Sequence, residues 1–153
     1  MQRRKNAGWL LAIGLLTWTA GGCGNGEDAK TVALIRTNEG LALEEIGRTY
    51  QSFVKRTQQP PKDMKDVLPS EQGYPTGINA LKRGEVVVLW GAPLDRTPQG
   101  GSSVLAYEKK APESGGIALM QDLSLKQLSA DEFKAAPKAP GTASAAPAAP
   151  AKK

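Results

Sequence analysis

The chain has 153 residues, with 20 basic and 15 acidic side chains, one cysteine and no histidine. The missing histidine excludes imidazole-activated serine or cysteine nucleophiles, histidine-ligated zinc and imidazole general-base chemistry. No basic stripe interleaved with aromatics occurs, and no phosphate loop of the Gly-x-x-x-x-Gly-Lys type, so no nucleic acid, cofactor or metal is expected.

Met1 to Cys23 reads as an export signal. Arg3, Arg4 and Lys5 open it, Gly8 to Ala20 is apolar or small, and Ala20-Gly21-Gly22 leads into Cys23. The apolar run is shorter than the ~20 residues a spanning helix needs, so residues 1 to 22 are expected to be removed by cleavage between Gly22 and Cys23. Ala20 and Gly22 fit ordinary secretory cleavage. The same Ala-Gly-Gly-Cys also resembles the bacterial lipobox, which implies that Cys23 is the lipid attachment site of the mature protein. A lone cysteine at the cleavage point favours the lipid reading over a free thiol. Removing Arg3, Arg4 and Lys5 from the 20 basic side chains leaves 17 against 15 acidic, so the mature chain is nearly neutral. Gly24, rather than aspartate, follows the cysteine and resembles the outer-membrane-sorted case, with the domain facing the periplasm.

Residues 23 to 37 are expected to be a lipid-anchored tether, although Thr31 to Ile35 is apolar enough to begin a helix or a short strand. From Asn38, Leu43, Ile46, Tyr50, Phe53 and Val54 recur at helical spacing, with Glu44, Glu45, Arg48 and Lys55 opposite. Thr37 or Asn38 can cap this helix and Pro60-Pro61 stop it, which predicts an amphipathic helix over 38 to 57. Gly47 inside it costs about 1 kcal/mol relative to alanine unless a neighbouring element passes close. Residues 58 to 84 are rich in proline and glycine and predict one or two single-turn helices in an irregular crossing. Val86 to Trp90 is a β-branched run between Gly84 and Gly91 and predicts a strand buried on both faces. Strands follow at Ser103 to Glu108, Ile117 to Gln121 and Ser124 to Leu128, with a turn over Pro112 to Gly116 and another at Asp122-Leu123. Ser129 to Glu132 is a capping box opening a short helix. The expected fold class is α+β, one amphipathic helix packed on a small antiparallel meander over residues 38 to 136. Residues 137 to 153, dominated by alanine and proline and ending in Lys152-Lys153, are expected to be a disordered tail.

Leu43 to Tyr50, Pro60-Pro61, Val104 to Lys109, Gly115-Gly116 and the run from Met120-Gln121-Asp122 to Glu132-Phe133 together carry a family resemblance. They resemble the globular part of type II secretion G-type pseudopilins and related proteins abundant in planctomycete bacteria. The resemblance covers about residues 39 to 136 and implies a helix leading into a meander whose last hairpin precedes an acidic helix start. Three features depart from the family. Its Phe-Thr-Leu-x-Glu segment and long apolar assembly helix are absent, and Leu123 stands where the family has glycine, so the hairpin is expected to use another turn than a primed two-residue one.

The candidate sites are few. Ser52 to Lys55 matches Ser-x-x-Lys, but the companion motifs of penicillin-recognising enzymes are missing, and a helix serine beside a surface lysine is expected. Glu85, Asp95, Glu108 and Asp122 supply carboxylates for a glycosidase-type pair only if the fold brings two together. Trp90 is either a stacking platform for sugar or peptide or a core residue beside Gly91, and Tyr74 and Tyr107 share that ambiguity. No catalytic residue is assigned. The expected function is a non-enzymatic, lipid-anchored structural or protein-interaction module of the bacterial envelope, accessory to a pseudopilin-like secretion system. The alternative is a lipoprotein that binds cell-wall polymer through Trp90 or the lysine-bearing tail.

Overall fold

A computed structural model describes residues 33 to 144. Its first long element, α1 (Asn38–Thr57), starts where the sequence places it: the Thr37 hydroxyl accepts a hydrogen bond from the Gly40 N–H, satisfying an orphan donor of the first turn. It ends at Gln58, which turns left-handed (φ 59°) while its N–H bonds the Val54 carbonyl. The buried face carries Ala42, Leu43, Ile46, Gly47, Thr49 and Tyr50. At Gly47 the Leu119 side chain lies 3.2 Å from where a Cβ would stand, so glycine admits the sheet at close range.

The tether is shorter than expected at its distal end. Residues 33 to 35 are helical, and Leu34 and Ile35 pack against the core. Partial burial of two aliphatic side chains favours the turn, and the Thr37 hydroxyl donates to the Leu34 carbonyl at 2.8 Å.

The crossing from 58 to 84 is more regular than its composition implies. Asp63 caps α2 (Met64–Val67), a 3-10 turn follows at Leu68–Ser70, and α3 (Pro75–Arg83) is a nine-residue helix rather than a single turn. Pro75 opens α3 where a missing N–H costs nothing, and Gly84 closes it with left-handed φ of 68°. Gly77 is a contact point, since a Cβ there would lie 2.9 Å from the Ala42 carbonyl oxygen of α1. The Gly77 N–H instead donates to the Glu45 carboxylate at 2.7 Å.

Five antiparallel strands form one sheet: β1 (Val86–Trp90), β2 (Val104–Glu108), β3 (Gly116–Met120), β4 (Leu125–Leu128) and β5 (Thr142–Ser144), in the order β4-β3-β2-β1-β5. β1 to β4 are the meander expected from the sequence. The expected turn after β2 is a short helix, α4 (Ala111–Ser114), and the capping box opens α5 (Ala130–Ala135). Between β3 and β4, the Leu123 N–H bonds the Met120 carbonyl and Leu123 itself is left-handed (φ 75°). This is a three-residue loop, not a primed two-residue turn.

Residues 137 to 144 correct the expected disordered tail. The Val104 N–H donates to the Pro137 carbonyl, the Ala139 N–H donates to the Val104 carbonyl, Ala139 is buried, and β5 then pairs with β1. Large apolar side chains are not needed there because β1 would otherwise leave a backbone edge unpaired. Residues 145 to 153 lie outside the described residues.

One face of the sheet packs against α1 and α3, with Leu43, Ile46, Tyr50, Ile78 and Leu81 meeting Val88, Leu105 and Leu119. On a second, smaller cluster Val104, Ala118 and Met120 pack with Phe133 of α5. The Phe133 ring tilts against Tyr107 at 4.7 Å between centroids.

Candidate functional site

Cys23 and the Gly22–Cys23 cleavage point lie outside the described residues. Among the described residues no helix is long and apolar enough to cross a membrane.

Trp90 is 4% exposed and stacks on Tyr50, with ring centroids 6.4 Å apart and planes 12° apart. It is a core residue, which removes it as a stacking platform for a ligand. β1 is the second strand from the edge, and Tyr50 of α1 lies over the Trp90 ring. The Tyr50 hydroxyl donates to the Ala92 carbonyl at 2.6 Å, and burial pushes its phenol pKa well up, so it stays a donor. Ser52 and Lys55 are exposed on α1. Ser52 lines a shallow groove with Arg48, Gln51, Tyr74 and Arg96, and Lys55 is not part of it.

The four carboxylates raised by the sequence fall in two pairs at opposite ends of the sheet. Asp95 and Asp122 flank the loops beyond Trp90 and Met120, where the Asp95 N–H bonds the Gln121 carbonyl. Each holds its own loop. Asp95 accepts from the Thr97 hydroxyl at 2.6 Å and the Thr97 N–H at 2.9 Å, which hold its pKa below the usual carboxylate range. Asp122 accepts from the Ser124 hydroxyl at 2.6 Å and N–H at 2.9 Å.

At the other end, Glu85 precedes β1 and Glu108 closes β2, opposite Val86. Arg83 holds Glu85 through two hydrogen bonds of 2.7 and 2.8 Å, which lower its pKa and keep it ionised. Such a carboxylate is a poor general acid. Glu108 is different: it is 5% exposed, and its Oε2 is enclosed without accepting a hydrogen bond. Lys110 Nζ stands 3.2 Å from that oxygen, out of line for a hydrogen bond, with its own side chain 62% exposed. The surrounding groove holds about 370 Å³ and is lined by Thr37, Glu39, Ser114, Gly116 and Gln127. A second depression joins Glu108 to Glu85, Arg83 and Glu113.

Glu108 was visible in the sequence as a carboxylate; its burial was not. The available signal was its place at the end of a strand whose preceding residues are apolar, followed by Gly115-Gly116. Among the described residues no group of three or more histidine, cysteine, aspartate or glutamate side chains is placed to hold a metal ion. Compared with known proteins, the chain matches no family model, no curated protein and no solved structure.

Proposed function

We propose that the chain is a bacterial envelope lipoprotein, anchored through a lipidated Cys23, whose α+β domain is a non-enzymatic protein-interaction module. The observation that carries the reading is the position of the only cysteine: it follows a basic start, an apolar run and Ala20-Gly21-Gly22, and a short polar stretch leads from it to a folded domain. Two acyl chains, at about 0.8 kcal/mol per buried methylene, hold such a protein on a membrane without a spanning helix. A pseudopilin-like role beside a secretion system is the finer part of the proposal. In its favour are the twenty-residue α1, the meander it packs on and the acidic start of α5.

The cell-wall reading drew on Trp90 or the tail, and Trp90 is in the core. The lipid anchor is tested by the mass of the mature N-terminal peptide and by phase partitioning. The expected result is a diacylated Cys23 peptide and a detergent-phase protein, with Cys23→Ser moving to the aqueous phase. An unmodified Cys23 mass would overturn the anchor. In-cell cross-linking then identifies the partner, and recovery of secretion-machinery proteins is the outcome expected of the pseudopilin-like role.

A further inference from the structure

The groove beside α1 holds about 470 Å³ among Glu44 and Arg48 of the helix, Tyr74, Arg96 and the Asp122-Leu123 turn. Its loop-borne parts are held in place. Asp95 accepts from both the N–H and the hydroxyl of Thr97, which fixes the backbone on either side of Arg96. The Asp95 N–H ties the same loop to Gln121, next to Asp122. Leu123 packs beside Gly47, 3.6 Å from where a Cβ would stand, and gives the groove an apolar surface.

The polar groups of this groove have capacity that the domain leaves unused. Among the described residues the Arg96 side chain makes no ion pair or hydrogen bond. Arg48 gives only its Nε–H to Glu44 Oε1, so both terminal nitrogens are open on a side chain that is 64% exposed. Glu44 Oε2 and Asp122 Oδ2 accept no hydrogen bond, their companion oxygens being taken by Arg48 and by Ser124. Two guanidiniums against two carboxylates make the groove neutral, with forked donors and single acceptors side by side. A phosphate or a polyanion would meet Glu44 and Asp122 as well as the arginines. A peptide segment with one acidic side chain matches both kinds of group: its carboxylate takes the Arg96 fork, and its backbone N–H groups find the two open carboxylate oxygens. Arginine and tyrosine around a small apolar surface are also the residues that concentrate binding energy in protein interfaces.

We propose that this groove docks an extended segment of a partner protein through a single acidic side chain, held by Arg96 and Arg48. The proposal rests on the protein-interaction reading and names the part of the domain that performs it. The test is backbone amide NMR on the full chain in detergent, titrated with acetyl-Ala-Ala-Glu-Ala-Ala-amide, with its glutamine counterpart and with inorganic phosphate. The expected result is saturable shifts at Arg48, Arg96 and Leu123 with the glutamate peptide. The glutamine peptide, and the glutamate peptide on Arg96→Gln, should each bind at least about tenfold more weakly, the loss of a charge-assisted hydrogen bond. Arg96 has no side-chain partner in the domain, so its replacement is not expected to disturb folding; Arg48→Gln is the second variant and should weaken binding as well. Equal binding of the two peptides, phosphate shifting the same amides as strongly, or no shifts in the groove would each overturn the proposal. Cross-links to a partner are read separately. Cross-links without groove shifts would place the partner elsewhere on the domain, and groove shifts without cross-links would keep the site and take away the envelope partner.

Discussion

Thr49 carries a hydroxyl that the fold does not use. It is 1% exposed, its Oγ1 has no hydrogen-bond partner, and the void beside it, walled by Ile46, Val67, Ile78, Leu81 and Trp90, has no room for a water molecule. Leaving a buried hydroxyl unpaired costs about 1 to 3 kcal/mol, while valine keeps its shape. Thr49→Val is expected to stabilise the domain by about 1 kcal/mol, read as a higher urea midpoint at unchanged slope. Thr49→Ala, which opens the void instead, should not. Leu123 makes the opposite trade. Its left-handed backbone costs about 1 to 2 kcal/mol for a residue with a Cβ, and in return its side chain joins the partly buried residues packed on the core above Gly47.

Among the elements, α5 shows how local chemistry sets pH dependence. The Ser129 hydroxyl accepts from the Glu132 N–H, and the Glu132 carboxylate accepts from the Ser129 N–H at 2.7 Å. That backbone bond, and then the Ser129 hydroxyl, hold the Glu132 carboxyl below the usual carboxylate range. A carboxylate whose pKa falls on folding contributes stability that is complete above its unfolded value and lost as pH drops through the folded one. Acid unfolding below pH 4.5 should therefore be less steep in Glu132→Gln than in the unaltered chain, as measured by circular dichroism across pH. Ser129→Ala removes the cap itself and is expected to cost about 1 kcal/mol near neutral pH. α1 has the same kind of start at Thr37, but most of its stability comes from the face it buries against the sheet.

At the scale of the whole molecule, residues 137 to 144 are the strap that completes the sheet. They satisfy both backbone groups of Val104, place Ala139 in the core and cover the outer edge of β1. At Gly141 a Cβ would lie 2.7 Å from the Trp90 carbonyl oxygen, so the approach is close enough to demand glycine. A chain ending at Ala136 is expected to be less stable than one ending at Ser144 by about 2 kcal/mol or more, counting about 1 kcal/mol per lost hydrogen bond. Urea denaturation of the two truncations measures the difference, and equal midpoints would show the strap to be idle.

The sequence by itself determined the elements whose own side chains record their burial. α1 was legible from Leu43, Ile46 and Tyr50 at helical spacing, β1 from its β-branched run, and α5 from Ser129 and Glu132. Tertiary structure decided the rest, because the interactions concerned leave no local pattern. Gly77 reads as a helix breaker until α1 passes against it. Thr142-Ala143-Ser144 reads as tail, since edge pairing is made by backbone groups that every sequence carries. Trp90 reads equally well as platform or core until Tyr50 covers it, and Glu108 becomes unusual only when Gly116 and α1 close around its carboxylate.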